Sequence, residues 1–194
     1  MLSSLKKTFL STSLLSRSFS VSTSQLKGIS LSSHPYIHTH LVSKGYAVSY
    51  VSSEDVNNKL DNLSSDVIIG WTQEKDAVDP ANFVENAKFV DFMTKVFKEN
   101  IHKINDPNLK ALADWQKEGW LHVGDERNPP PWGRINFPED IIGSVQLQNG
   151  TIKEGTYEPM PTHRMVTNNG LFQLSEPLTK CIIDAAKKHA FKSS

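Results

Sequence analysis

From Asn86 to Ile104 the apolar residues Phe89, Phe92, Met93, Val96, Phe97 and Ile101 recur at steps of three and four. That spacing gathers six large side chains on one side of an α-helix. A face of that size has to be covered by another layer, so the helix is the spine of a packed core. The aromatics and Met93 on it read as core rather than as a cofactor groove. Directly behind it, Asp106-Pro107 supplies an N-capping acid and a proline at the first helical position. A second helix is predicted from there to about Lys117, halted before Gly119, with Leu109, Leu112 and Trp115 on its buried side.

The segments on either side set the fold class. Tyr46 to Val51 alternates and is rich in β-formers, which predicts a strand. Ser53 is placed to cap a short helix over Glu54 to Leu63, and Asp66-Val-Ile-Ile-Gly70 is a short buried-strand pattern. Strand, helix, strand in that order suggests a βαβ unit. After Gly119 the texture changes to short strands and turns. Trp120 to Val123 is one strand, and Asp140 to Gln148 is a clearer one. Asn149-Gly150 then signals a tight hairpin into Thr151–Lys153. A further strand, His163 to Thr167, leads through Asn168-Asn169-Gly170 into Leu171–Leu174. Ser175 and Pro177 open a last helix with apolar residues Leu178, Cys181, Ile182, Ala185 and His189. The expected class is α+β: central amphipathic helices, a small and mainly antiparallel sheet, and a C-terminal helix. Residues 46–192 are expected to form a single domain, preceded by an irregular segment over 27–45.

The chain carries no Asp or Glu before Glu54. Its first 26 residues hold nine serines together with Lys6, Lys7 and Arg17. An acid-free, serine-rich, basic start has the composition of a cleaved mitochondrial presequence. Its charges are drawn inward by the membrane potential, at roughly 2.3 kcal/mol per charge per 100 mV. Arg17-Ser-Phe-Ser20 resembles a processing site, with a second trimming step giving a mature start near Lys27. The expected location is the mitochondrial matrix. Taking the three bases of the presequence from 21 leaves 18 Lys and Arg against 21 Asp and Glu. That balance disfavours nucleic acid, whose phosphates ask for cations. The single cysteine, Cys181, excludes an internal disulfide and any cysteine-cluster metal centre, and at an apolar helix position it reads as a structural thiol. No run of eighteen apolar residues occurs, so a soluble protein without a membrane span is expected, with peripheral association left open.

The densest local peculiarity is Gly124-Asp-Glu-Arg-Asn-Pro-Pro-Pro-Trp-Gly-Arg134. Three consecutive prolines stiffen the chain into an extended segment and remove three donors. It admits three readings: a loop pinned across the sheet by Arg–carboxylate pairs with Trp132 as its plug, a docking loop, or an anion-binding loop. The docking version places Arg127, Pro130, Pro131, Trp132 and Arg134 against a protein partner. A catalytic version pairs His163 and Arg164 with Asp125 or Asp140, the imidazole moving protons and the guanidinium holding an anion. His34, His38 and His40 form a weak metal pattern with no acid near them in sequence, and no metal site is expected. No phosphate loop, nucleophile elbow, HExxH or dinucleotide fingerprint is present, so no cofactor is expected.

The run Asp125-Glu-Arg-Asn-Pro-Pro-Pro-Trp-Gly-Arg134, with Pro138-Glu-Asp-Ile-Ile-Gly-Ser144 and Met165-Val-Thr-Asn-Asn-Gly170, resembles a group of uncharacterised fungal mitochondrial proteins. It covers roughly the last seventy residues and implies the mitochondrial address but no activity. The expected role is an accessory or interaction protein, supporting assembly or maintenance of a respiratory or ribosomal complex. The alternative is a small enzyme acting on an anionic metabolite.

Overall fold

The computed structural model describes residues 29–31, 34–43, 45–56, 63–131 and 134–192. The expected presequence and Trp132 therefore lie outside the described residues.

The amino-terminal half is built from β1 (Ile29–Ser30), β2 (His38–Val42), β3 (Gly45–Ser49), β4 (Ile68–Thr72), β5 (Ala77–Val78) and β6 (Val84–Glu85). Strands β2, β3, β4 and β6 lie in that order in one antiparallel sheet, and β1 pairs with β5. This overturns the βαβ expectation: β3 and β4 run antiparallel, with Val48 opposite Gly70. A parallel pair needs a crossover of a dozen or so residues. Here the expected helix over 54–63 begins as a single 3-10 turn, Glu54–Val56, and residues 57–62 lie outside the described ones. Asp55 instead closes a turn on Ser52, accepting from its N–H at 3.0 Å and its hydroxyl at 2.8 Å. The segment expected to be irregular contributes β1 and β2. Within β2 the pleat turns His40 inward and Leu41 out, the latter 67% exposed.

Helix α1 (Ala87–Asn100) follows where the apolar spacing places it, and Phe89, Met93, Val96 and Phe97 are buried. Its cap, Asn86, accepts from the Lys88 N–H at 3.2 Å. The Asn86 amide donates to the carbonyls of Ser65 and Ile68 at 2.7 and 2.6 Å, tying the helix start to the foot of β4. Helix α2 (Pro107–Gln116) is capped by Asp106, whose Oδ1 accepts from the N–H groups of Asn108 and Leu109 at 2.9 and 3.0 Å. Trp115, expected inside, is 71% exposed. It lies six residues beyond Leu109, about 240° further round the helix, away from the buried Leu109 and Ala113.

The carboxy-terminal half holds β7 (Gly119–Gly124), β8 (Ile141–Gln148), β9 (Thr151–Ile152) and β10 (Glu158–Pro159), all antiparallel around β8. The hairpin from β8 to β9 turns on Asn149 and Gly150, both at positive φ (52° and 75°), as the Asn-Gly pair requires. At Gly143 the backbone comes so near Tyr157 that a Cβ would meet its ring at 2.6 Å. A small hairpin, β11 (Val166–Thr167) and β12 (Gly170–Leu171), precedes α3 (Glu176–Lys192), and His163–Met165 lead into it without joining a strand. The fold is α+β. Helix α1 lies between the two main sheets: Phe89, Met93 and Phe97 share one core with Val48 and Ile69 of the first, Val145 of the second, and Tyr157 just before β10. The rings of Phe97 and Tyr157 meet edge to face at 5.1 Å.

Candidate functional site

Where β7 ends, its register against β8 slips between Val123 and Gly124. The slip turns the following residues off the sheet and into the space between β8 and the β11–β12 hairpin. Asp125 N–H bonds the Asp140 carbonyl at 2.8 Å, and Glu126 N–H bonds the Gln173 carbonyl at 2.9 Å. The Asp125 side chain faces inward, fully buried, and its Oδ1 accepts from the N–H groups of Arg127 and Gln173 at 3.0 and 2.9 Å.

Arg127 is the hub of the region. Its side chain is 1% exposed, and every N–H of the guanidinium has an acceptor. Nε donates to Asp140 Oδ1 and lies 3.2 Å from Asp125 Oδ2. Nη1 donates to the carbonyls of Met165 and Gly170 at 3.2 and 3.1 Å. Nη2 donates to those of Glu139 and Arg164 at 3.2 and 2.7 Å. Asn128 completes the set from the same loop, donating to Asp140 Oδ2 at 3.1 Å. A rigid five-donor fork suits such a job where a lysine would not. One side chain thus ties the base of the proline loop to the turn before β8, to the approach to β11 and to β12.

His163 joins the same cluster. Its side chain is 6% exposed, and Nε2 lies 3.1 Å from Asp125 Oδ2, so with a carboxylate opposite it Nε2 carries the proton. The ring also meets Phe172 edge to face at 5.9 Å. Of the residues read as catalytic, His163 and Asp125 are therefore brought together, while Arg164 contributes its backbone carbonyl and is otherwise exposed. Of those read as docking residues, Arg127 is buried beneath the loop, and Pro130, Pro131 and Arg134 border a cavity beside it.

That cavity, of about 220 Å³, lies between the proline loop and α2. Its apolar lining comes from Leu109, Leu112, Val123 and Leu178. Asp106, Glu126, His122 and Asn136 add polar groups. Asp106 also accepts a hydrogen bond from the Ser175 hydroxyl, and His122 Nδ1 is paired with the Ser144 hydroxyl at 2.8 Å. Burial pushes the Glu126 carboxyl above its usual range; the nearby charges of Asp106 and Asp125 add to this, and a hydrogen bond from Asn108 works against it. Just past the described gap in the loop, Ile135 and Phe137 are 76% and 67% exposed.

Two of the three amino-terminal histidines, His40 and His34, are tied to different partners. His40 Nε2 pairs with the Val51 carbonyl at 2.8 Å, and His34 Nε2 with that of Phe172 at 3.1 Å. Among the described residues no three His, Cys, Asp or Glu groups are placed to hold a metal ion. None of the helices there is long and apolar enough to cross a membrane. The sequence reading missed the contribution of Phe172, Gln173, Tyr50 and His34 to this region. Most of what they supply is backbone or aromatic surface, which leaves no spacing signal. No family model matches the chain, and no curated protein or solved structure does either.

Proposed function

We propose that this chain is a mitochondrial accessory protein that binds another protein at the proline loop, in support of assembling or maintaining a respiratory or ribosomal complex. The observation that carries this is a contrast within one loop. Arg127 immobilises its base with every donor it has, while Ile135 and Phe137, alternating with the cavity-lining Arg134 and Asn136, stand exposed after the prolines. A pre-ordered extended segment gives up little entropy on binding. Exposed aromatic and aliphatic anchors beside a pocket are the usual core of an interface. The occupant is an extended segment of the partner bearing a lysine or arginine. Its stem would lie on Leu109, Leu112 and Leu178 and its charge beside Glu126, whose neighbouring acids call for a cation. The acid-free amino-terminal stretch and the resemblance to fungal mitochondrial proteins support the address.

Native sedimentation of gently lysed mitochondria tests it, comparing the wild type with an Ile135→Ser/Phe137→Ser double variant and with Leu41→Ser as an exposed control elsewhere. Wild type and control should travel with a larger complex, and the double variant should fall to monomer mass. A wild type found at monomer mass sinks the proposal. A double variant still travelling with the complex moves the interface off this loop.

A second reading, the small enzyme acting on an anionic metabolite, is favoured by the 3.1 Å approach of His163 to Asp125. There His163 would move the proton, Asp125 would orient it, and Arg164 would hold the anion without a cofactor. It asks for a ring more open than 6%, so a metabolite that raises Tm in wild type but not in Arg164→Gln would be needed to favour it.

A further inference from the structure

Phe172, whose ring meets His163, also touches two residues with buried polar atoms that have no hydrogen-bond partner among the described residues: Tyr50 Oη and His34 Nδ1. They belong to neighbours, with ring centroids 6.2 Å apart and planes inclined at 55°. Their chemistry is complementary. His34 Nε2 faces the Phe172 carbonyl at 3.1 Å, so that nitrogen carries the ring proton and Nδ1 is a bare acceptor. Tyr50 is 2% exposed, and its phenol brings a donor. A buried donor and a buried acceptor on neighbouring rings, with no direct bond between them, suit the two ends of a one-molecule bridge.

We propose that Tyr50 Oη and His34 Nδ1 form a binding site for a single buried water, which accepts from the phenol and donates to the imidazole. The site offers hydrogen bonds on two sides and is bordered by aromatic rings. Phe172 lies edge-on to Tyr50 at 6.3 Å, and Phe89 is tilted against both at 6.3 Å. Burial keeps the His34 ring in its neutral form and the Tyr50 phenol protonated, as the two roles require.

The water gives a segment at the edge of the fold a place in the core. His34 follows β1, whose neighbour Leu31 is 6% exposed and donates to the Asp76 carbonyl at 2.8 Å. The water would add to the β1–β5 pairing and the Leu31 bond, joining this strap to Tyr50 just as His34 Nε2 joins it to Phe172. Through Phe172 the strap then reaches the ring of His163 and the Arg127 cluster.

A crystal structure of the full chain, with a matching one of Tyr50→Phe, tests the site. The expected result is one water about 2.7–3.2 Å from both atoms, absent from the variant. Tyr50→Phe should also lower Tm by about 2–6 °C, since it strands the water and the acceptor. A direct Oη–Nδ1 bond, or no water at the position, overturns the proposal. So does an unchanged or raised Tm in Tyr50→Phe, which would mark the hydroxyl as a burden relieved. A water that persists in the variant crystal would be filling a void rather than bridging, and overturns it too.

Discussion

The Arg127 guanidinium donates to the backbone carbonyl of Arg164 at 2.7 Å. Two arginines that could both have served an anion are thus joined through one side chain and one main chain, and the first has no donor to spare. The clamp explains how a proline-rich loop can be held rigid beside a cavity without regular secondary structure of its own. It also separates the roles: Arg127 holds the loop in place, and the residues beyond it are what another molecule can touch.

Arg127→Lys should unfold at lower urea than wild type, by about 3 kcal/mol or more. The cost comes from stranding the buried Asp125 and Asp140 and four carbonyl acceptors that a single ammonium cannot reach. Equilibrium urea melts followed by tryptophan fluorescence read it; a loss under 1 kcal/mol would show that the cluster is not the clamp described.

Stability should acquire a pH dependence from His34. Desolvation holds its folded-state pKa below the ordinary 6.5, partly offset by the Phe172 carbonyl and the charge of Asp125. The unfolded chain therefore takes the proton first. The His34 contribution is fully present above about pH 6.5 and is lost as pH falls from there through the folded value. Relative to His34→Gln, wild type should lose stability on going from pH 7 to pH 5. Parallel denaturation curves of the two proteins across that range would contradict this.

Gly143→Ala places a methyl 2.6 Å from the Tyr157 ring and from the Glu158 carbonyl. Neither neighbour is a flexible chain end, so β8, β10 or the ring must move. A loss of about 1–3 kcal/mol is expected, with the near-ultraviolet circular dichroism of the buried Tyr157 changing alongside it.

Removing residues 1–26 leaves every contact described above in place, whereas starting the chain at Pro35 removes Leu31 and His34. Thermal melts should therefore leave the first truncation at the wild-type Tm and drop the second by several degrees or more, for the loss of a buried leucine, the β1–β5 pairing and the bonds of Leu31 and His34. Amino-terminal sequencing of the protein recovered from mitochondria should find a start near Lys27.

The Cys181 thiol is half-buried on α3, with its pKa pushed up by burial and further by Asp184, against a smaller opposing effect of Lys188. The thiolate is the reactive form. Iodoacetamide at pH 7.5 should therefore modify it several-fold more slowly than free cysteine, and unfolding in urea should remove the difference. Equal rates in the folded protein would mean an open, activated thiol.

What could be read in advance is what neighbours along the chain decide. The stripe of α1, the Asp106 cap with Pro107 after it, and the Asn149-Gly150 turn all depend on residues within a few positions of one another. Local sterics and hydrogen bonding settle them. Misreadings fell where a distant partner chose. The direction of β4 against β3 was set by the pairing itself, and Trp115 was turned outward by which side of a ten-residue helix met the sheet. The purpose of Arg127 was hidden for the same reason: four of its acceptors are carbonyls of Glu139, Arg164, Met165 and Gly170, which every residue type carries. The sequence alone determined the helices, the turns and the stiffness of the loop, because those follow from short-range energetics. Only the tertiary structure decided which buried groups meet, because bringing residues 34, 50, 125, 163 and 172 together is governed by burial and long-range pairing, which leave no periodic trace in the chain.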